Sequence, residues 1–397
     1  MSPQVSVPGD RCHVTTMFTT RGKDMTNKQK ATHYFQKDIS NCGLTGFISK
    51  SGKLVEGSVI IKSIALMHDR GNGLGGGFAA YGIYPDYRDF FAFHLMYENS
   101  MALQLTEEYL EQHFFIEQEE DIPTRRNSAI ANPPVFKRYF VKPLHTTQYQ
   151  EAVEFQNMTD EDIIVSHVMR INNEVDGAFI VSSGKNMGAF KGVGYPEEIA
   201  DFFRLEEYSG YIWTAHNRFP TNTPGWWGGA HPFTLLDWSI VHNGEISSYG
   251  INKRYLEMYG YLCTMLTDTE VVAYMLDLLI RKHGLSPELA SLALAAPFWD
   301  MIDTLDNDDR ELLTAIRQVY GCALLNGPFA ILFASNEGLI GLNDRVKLRP
   351  LVCAEKNDFV YMASEEAAIR EICAKPDRVW APRGGEPVIA KFNPGVI

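Results

Sequence analysis

The hydrophobic and polar positions of the chain change character near residue 42. Residues 1–41 are polar and contain few large apolar side chains, whereas the apolar run over 42–49 predicts a buried strand. Apolar residues at helical spacing then predict a helix from Ser58, as its N-cap, to His68. We therefore divide the chain into an N-terminal arm or propeptide, 1–41, and a globular domain, 42–397.

The remainder of the domain alternates short strands with helices. Predicted strands cover 76–84, 90–97, 135–141, 211–216, 238–242, 329–334, 339–342, 351–354 and 359–363, and predicted helices cover 104–116, 160–171 and 268–283. Thr267 and Glu270 form a capping-box pattern before the last of these helices. The charged stretch 117–127 predicts a surface loop. Hairpin-like strands mixed with helices indicate an α+β fold.

Charge and cysteine usage exclude several classes of protein. A net charge of −13 argues against a general nucleic-acid binder, which needs a basic surface. The six cysteines contain no C-x-x-C pair, which argues against zinc ribbons and iron–sulfur clusters in this chain. Because no run of about 18 apolar residues is present, we expect neither a membrane span nor a membrane partner. We expect reduced, mostly buried thiols in a cytoplasmic protein.

Two motifs suggest cofactor or metal binding but lack the required context. Residues 71–76 read G-x-G-x-x-G, but a predicted helix precedes this loop and a strand follows it, the reverse of a dinucleotide site. The loop is better suited to close backbone approach. His216, His231 and His242 lack the spacing of zinc ligands, and we interpret them as structural histidines. We therefore predict no cofactor and no metal in this chain.

Five side chains and backbone groups along the domain could together bind and hydrolyse glutamine. Amide hydrolysis by a thiol needs a thiolate, a base and an oxyanion site. Cys42 offers the thiol, Arg218 a planar fork for a carboxylate, and Asp268 a counter-charge for an ammonium group. Asn243 and Gly244 offer two N–H donors. Taken singly, each has an ordinary alternative: a core cysteine, a structural arginine, a helix-capping aspartate and an Asn-Gly turn.

Taken in order, these motifs resemble one known family. The segments are Cys42-Gly43, 68–71, 216–221, 242–246 and 267–270. This order resembles the signature of class II glutamine amidotransferases, which are N-terminal nucleophile hydrolases with a four-layer αββα core. Segments 218–244, 341–350 and 363–365 resemble the amidotransferase part of glutamate synthase in particular. Compared with that family, residues 85–210 contain a sizeable insertion before the Arg218 motif.

The resemblance implies a role for each matching residue. Cys42 would be the nucleophile, and its own free α-amino group the base, so the Asn41–Cys42 bond would have to be cut. The expected substrate is L-glutamine. The other implied site residues are Asn243 and Gly244 for the oxyanion, Arg218 and Thr221 for the α-carboxylate, Asp268 for the α-ammonium group and Gly71 for the pocket backbone.

The resemblance also implies a partner, because we find no motif of an ammonia-accepting domain in the chain. The expected partner is a glutamate synthase subunit that carries FMN and iron–sulfur clusters and acts on 2-oxoglutarate. Two alternatives remain. One is an amidotransferase-like subunit of a related glutamate-modifying enzyme, and the other is a non-catalytic glutamine-binding or assembly subunit. A glutaminase without a partner is a weaker third.

Overall fold

The computed structural model of the protein describes residues 41–144, 158–220, 225–393 and 395. The predicted arm up to residue 40 and the predicted site residue Thr221 therefore lie outside the described residues. The strands are β1 (Gly43–Ser49), β2 (Val55–Glu56), β3 (Gly76–Tyr81), β4 (Phe91–Tyr97), β5 (Phe114–Asp121), β6 (Val135–Pro143), β7 (Ala178–Ser182), β8 (Met187–Gly192), β9 (Ser209–Gly210), β10 (Ile212–Asn217), β11 (Phe233–Leu235), β12 (Trp238–Gly244), β13 (Phe329–Ser335), β14 (Gly338–Asn343), β15 (Val352–Lys356), β16 (Phe359–Ala363), β17 (Arg378–Trp380) and β18 (Val388–Lys391). The helices are α1 (Gly57–Ala65), α2 (Ser100–His113), α3 (Asp160–Glu174), α4 (Pro196–Phe202), α5 (Tyr249–Glu257), α6 (Asp268–Leu276), α7 (Pro287–Leu294), α8 (Trp299–Ile302), α9 (Asn307–Val319) and α10 (Glu366–Ile372).

A seven-stranded sheet places the start of β1 beside the end of β10. Its strand order is β17-β15-β16-β1-β10-β3-β8, and every pair is antiparallel. Gly43 lies opposite Asn217. The residue before β1, Cys42, and the residue after β10, Arg218, are therefore held at the same edge of the sheet by backbone pairing.

A five-stranded sheet packs against the first one. Its order is β11-β12-β13-β14-β18. A buried apolar cluster contains Leu44 and Met362 of the first sheet together with Val241 and Leu332 of the second. Both inner faces are therefore apolar, and fully burying side chains of this size contributes about 1.5–3 kcal/mol each.

Helices cover the other faces of these two sheets. Ile60 of α1, Ile199 of α4 and Ile369 of α10 share a buried cluster with Phe47 and Trp213 of the seven-stranded sheet. Helices α6 and α7 belong to a second cluster that includes side chains of β12 and β13. The mixed helix and strand content agrees with the predicted α+β class. None of the helices in the described residues is both long and apolar enough to cross a bilayer.

A third sheet, of order β5-β6-β4-β7, lies within the stretch 83–185. The chain leaves β3 at Gly82 and re-enters at Asn186, and the Gly82 N–H donates to the Asn186 carbonyl at 2.7 Å. The prediction of a loop over 117–127 is wrong in its first half, because β5 runs to Asp121. Arg138 of β6 pairs with Glu120 at 2.7 Å, and such cross-strand pairs allow an acidic segment to form an edge strand.

Several helix boundaries also differ from the predictions. Helix α1 begins at Gly57 after Glu56, with no side-chain cap, so the predicted Ser58 N-cap is wrong. Helix α2 begins earlier than predicted, because the Asn99 side chain caps it by accepting the Ala102 N–H at 2.9 Å. Helices α4, α5, α7, α8, α9 and α10 were not predicted from the sequence. As expected, Cys263, Cys353 and Cys373 are buried, whereas Cys322 is exposed.

Candidate active site

The Cys42 thiol lies at the joined edge of β1 and β10. The Phe219 N–H donates to its Sγ at 3.2 Å, and Arg70 Nε donates to the Cys42 carbonyl at 3.1 Å. Burial raises the pKa of the Cys42 thiol, although the Phe219 N–H and the positive charges of Arg218 and Arg349 act in the opposite direction. A thiol in this environment needs a nearby base to become a nucleophile.

A cavity of about 210 Å³ opens beside this thiol. It brings together four of the predicted site residues: Cys42, Arg218, Gly244 and Asp268. The other lining residues are Phe219, Pro220, His231, His242, Glu245, Ile246, Tyr249, Leu266 and Thr267. The cavity is therefore lined by a cation at Arg218, an anion at Asp268 and a thiol at Cys42.

Arg218 lies directly after β10, and its side chain is almost fully buried. The residue is 5% exposed, and its N–H donates to the Gly75 carbonyl at 2.9 Å. Burial lowers the pKa of the Arg218 guanidinium, while the thiolate form of Cys42 and the Asp268 carboxylate act in the opposite direction. Because guanidinium groups stay protonated at neutral pH, this position offers a fixed fork for a carboxylate.

Asp268 is the first residue of α6 and faces the same cavity. Its carboxylate accepts the Ile246 N–H at 2.9 Å and the Thr269 hydroxyl at 3.2 Å. Burial alone raises the pKa of the Asp268 carboxyl, but the His242 imidazole 3.7 Å away and these hydrogen bonds lower it to about 2. The group is therefore a carboxylate throughout the neutral range, suited to accept an ammonium group.

The predicted capping box at this helix is wrong in part. The Thr267 side chain caps α6 by accepting the Thr269 N–H at 3.2 Å. Glu270 does not return to the cap residue. Its carboxylate accepts the N–H groups of Thr264 at 2.9 Å and Met265 at 3.0 Å. Glu270 thus fixes the loop that leads into the cavity wall at Leu266 and Thr267.

Asn243 and Gly244 end strand β12 and do not form a hairpin turn. Asn243 Nδ2 donates to Ser364 Oγ at 3.2 Å, and Asn243 Oδ1 is buried with no hydrogen-bond partner among the described residues. Gly244 has a φ of 143°, and a Cβ there would lie 2.0 Å from the Pro328 carbonyl oxygen. Only glycine fits this backbone, which places the strand end against the cavity.

Gly71 does not line the cavity, although it supports a neighbour of Arg218. A Cβ at Gly71 would lie 1.8 Å from Asn217 Oδ1. This close approach lets Asn217 Nδ2 donate to the carbonyls of Met67 at 2.9 Å and His68 at 3.0 Å. The loop 68–71 is thereby fixed to the end of β10, one residue before Arg218.

Three histidines form a buried network beneath the cavity, and two of them line it. His231 Nε2 lies 2.8 Å and His242 Nδ1 3.1 Å from the Thr269 hydroxyl, and His216 Nε2 lies 2.7 Å from the His242 carbonyl. Burial lowers the pKa of His216 to about 3. These contacts agree with the interpretation as structural histidines. In 41–144, 158–220 and the later described residues, no group of three or more His, Cys, Asp and Glu side chains could hold a metal ion.

It was not predicted from the sequence that His231 and His242 line the cavity or that Thr269 contacts both of them. The available signal was position: His242 directly precedes the Asn243-Gly244 pair, and Thr269 follows Asp268. Nothing in the sequence indicated that Leu266 lines the cavity. It has a φ of 55°, an uncommon conformation for leucine, and its side chain is exposed at the cavity wall.

Comparison with known proteins matches the part of the chain that carries Arg218, Asn243 and Gly244 to one class of enzyme. Residues 117–263 match the family described as glutamine amidotransferases class-II. This range includes Arg218, Asn243 and Gly244, while Cys42 and Asp268 lie outside it. Over these residues the chain is similar to the class II glutamine amidotransferases.

Individual relatives extend the similarity over most of the chain. An uncharacterized protein of Archaeoglobus fulgidus is 52% identical over 360 residues, which cover 90% of this chain and 94% of that protein. A putative glutamine amidotransferase of Methanothermobacter thermautotrophicus is 25% identical over 339 residues, 83% of this chain and 93% of that protein. The amidophosphoribosyltransferase of Methanocaldococcus jannaschii is 26% identical over 232 residues, 56% of this chain and 43% of that enzyme.

Proposed function

We propose that this protein hydrolyses L-glutamine to L-glutamate and ammonia through a thioester on Cys42. The supporting observation is the single cavity that holds a thiol, a buried guanidinium and an ionised carboxylate. A zwitterionic amino acid fits this arrangement: its α-carboxylate binds Arg218 and its α-ammonium group binds Asp268. Its side-chain amide then extends to Cys42.

In the proposed reaction the Cys42 sulfur attacks the amide carbon and displaces ammonia, and water then hydrolyses the thioester to glutamate. Asn243 Nδ2 and the Gly244 N–H stabilise the oxyanion that forms in each step. Loss of one such donor reduces the rate by about 100- to 1,000-fold. The base is the free α-amino group of Cys42, whose reference pKa of about 8 suits proton transfer near neutral pH. A peptide nitrogen cannot accept this proton, so the mechanism requires cleavage after Asn41.

We further propose the four-layer αββα architecture of N-terminal nucleophile hydrolases. The apolar cluster shared by the two central sheets supports it, as do the helices packed on their other faces.

The ammonia is proposed to pass to a separate synthase subunit in the cytoplasm. The resemblance of segment 341–350 to glutamate synthase favours a partner with FMN and iron–sulfur clusters that aminates 2-oxoglutarate. An amidotransferase-like subunit of a related glutamate-modifying enzyme, or a non-catalytic glutamine-binding subunit, are the alternatives.

Glutaminase activity of the purified protein tests the first proposal. We expect ammonia release from glutamine by a chain whose N-terminal residue is Cys42. Cys42→Ser should abolish the activity, whereas Cys322→Ser, at an exposed thiol outside the cavity, should leave it unchanged. Arg218→Lys keeps the positive charge but cannot bind a carboxylate through two parallel N–H groups. It should lower kcat/KM by about 10- to 100-fold, mainly through KM. Full activity in Cys42→Ala would refute the thioester.

Isotope transfer tests the partner. The protein is purified from its native host with its bound proteins and supplied with glutamine labelled at the amide nitrogen, 2-oxoglutarate and a chemical reductant. Labelled glutamate is expected, and it should disappear when the Cys42→Ser chain replaces the wild type. Label that remains in free ammonia, or that enters a different acceptor, would contradict the glutamate synthase assignment while leaving the glutaminase step intact.

A further inference from the structure

A single serine hydroxyl is bound to the strand that follows the thiol. Ser364 comes directly after β16 and is 2% exposed. Its Oγ accepts the N–H of Leu44 at 3.2 Å, and its own backbone N–H donates to the Leu44 carbonyl at 2.9 Å. These two hydrogen bonds hold the hydroxyl against β1, two residues along the chain from Cys42.

The same hydroxyl also binds the side chain of Asn243, which belongs to the five-stranded sheet. Asn243 is fully buried, and its Nδ2 donates to Ser364 Oγ at 3.2 Å. The other end of the amide, Asn243 Oδ1, has no hydrogen-bond partner among the described residues. Within that part of the chain, the Ser364 hydroxyl is therefore the one group that fixes the orientation of this amide, and it links the two central sheets.

The orientation of the Asn243 amide matters because its terminal torsion angle is soft. The last torsion of an asparagine side chain has broad energy wells, so a buried amide with one hydrogen bond depends on that bond for its direction. The nitrogen carries two N–H groups. Ser364 accepts one of them, and the second remains available for the oxyanion of the proposed reaction. Oxyanion donors are effective when their direction is fixed before the reaction begins.

We propose that Ser364 is a positioning residue for glutamine hydrolysis. Its hydroxyl oxygen holds one N–H of the Asn243 amide in a fixed place relative to the start of β1, so that the other N–H is directed to the oxyanion. Ser364 is not among the residues that line the cavity, so it acts through Asn243 and undergoes no chemical change itself. This inference rests on the proposed function, because that function assigns the oxyanion to Asn243 and Gly244.

Steady-state kinetics of glutamine hydrolysis by the purified protein test the proposal. Ser364→Ala should lower kcat by about 10- to 100-fold, a smaller loss than the roughly 100- to 1,000-fold expected when Asn243→Ala removes the donor itself. KM should stay within about threefold of the wild-type value, because Arg218 and Asp268 still bind the α-carboxylate and the α-ammonium group. The loss should therefore appear in the chemical step and not in substrate binding.

A double-mutant cycle distinguishes positioning of Asn243 from a general structural role. In a chain that already carries Asn243→Ala, the further change Ser364→Ala should lower kcat by less than about threefold, because the amide that Ser364 positions is gone. A serine that only supports the fold would lower kcat by the same factor in both backgrounds. Ser364→Cys fills the same space with a weak acceptor. It should also lower kcat more than it changes KM, which keeps the test decisive if the alanine variant unfolds.

Ser63→Ala is the matched control, because it also removes a buried hydroxyl that binds β1. Ser63 lies on α1 and is fully buried; its Oγ donates to the Ala368 carbonyl at 2.8 Å and lies 2.9 Å from the Thr45 hydroxyl. This variant should lose thermal stability much as Ser364→Ala does, yet keep the wild-type kcat and KM. N-terminal sequencing should give Cys42 as the first residue of every variant, so that the same form of the chain is compared.

The outcomes also separate this inference from the proposed function. If the wild type hydrolyses glutamine and Ser364→Ala keeps a kcat within about threefold of it, the inference is overturned and the proposed function stands. Equal losses in the presence and absence of the Asn243 amide would overturn the inference in the same way. A wild-type chain that begins at Cys42 and hydrolyses no glutamine would refute the proposed function, and the inference with it.

Discussion

Replacement of Asp268 by asparagine removes one charge from the cavity at nearly constant shape. The pKa of the carboxyl is lowered from an ordinary 3.8 to about 2, so the folded state binds its proton less tightly than the unfolded chain. A shift of almost two units corresponds to about 2 kcal/mol of stability at neutral pH. This contribution is complete above the unfolded pKa near 4 and disappears as the pH falls to about 2.

The expected stability difference therefore depends on pH. At pH 7, Asp268→Asn should lower the free energy of unfolding by up to about 2 kcal/mol, because the amide still accepts the Ile246 N–H but carries no charge. The difference between wild type and variant should shrink steadily between pH 4 and pH 2. Urea unfolding at pH 7, 4 and 3, followed by fluorescence and circular dichroism, measures it.

Catalysis should respond more strongly than stability. Loss of a charged partner for the substrate ammonium group should lower kcat/KM for glutamine by about 10- to 150-fold, mainly through KM. Asp237→Asn is the matched control. Asp237 is partly buried, lies outside the cavity and accepts the Lys185 N–H at 2.7 Å, and desolvation raises the pKa of its carboxyl. This control should leave kcat/KM unchanged. Equal stabilities of wild type and Asp268→Asn at pH 7, or a kcat/KM within threefold of wild type, would refute the reasoning.

Two further predictions concern backbone and buried charge. Gly244→Ala should destabilise the protein by about 3 kcal/mol, because the new Cβ would lie 2.0 Å from the Pro328 carbonyl oxygen. Gly260→Ala, at a φ of 86° with open space around it, should destabilise the protein by only about 1 kcal/mol. Thermal unfolding measures both variants, and an equal loss of stability in the two would contradict the clash. Burial raises the pKa of Glu270 to about 7, so this group should remove about 3 kcal/mol of stability as the pH rises from about 4.5 to 7. Glu270→Gln should abolish that part of the slope in urea unfolding at pH 5 and 8, and an unchanged slope would show that other groups cause it.

Site residues could be predicted from the sequence where they lie directly beside the end of a strand. Cys42 and Arg218 were identified from their motifs, and the pairing of Gly43 with Asn217 brings them together. The role of Glu270 could not be read from its spacing, because a capping box and a clamp on Thr264 and Met265 share the same local pattern. The two arrangements differ only in the path of the loop before Thr267, which the sequence pattern does not specify.

The fold was predicted least well where long-range partners override local composition. Strand β5 is acidic and looks like a loop until β6 supplies Lys137 and Arg138 across from it. Helix α9 is amphipathic, with only Leu313 and Ile316 buried, so its apolar pattern is too sparse to predict a helix from the sequence. In both segments tertiary contacts stabilise what local propensity leaves ambiguous.

The hydrogen bond between Gly82 and Asn186 has a consequence for how such a chain can change over evolutionary time. All the candidate site residues within the described residues lie outside 83–185, and the two ends of that stretch are joined by backbone contacts that include the bond from Gly82 to Asn186. Strands β3 and β8 thus keep their register whatever length of chain joins them, since closing a longer loop adds little free energy. The loops of this stretch could therefore change in length while the strand ends that carry the thiol and the guanidinium stay in place, whereas the third sheet itself shares buried clusters with the rest of the domain.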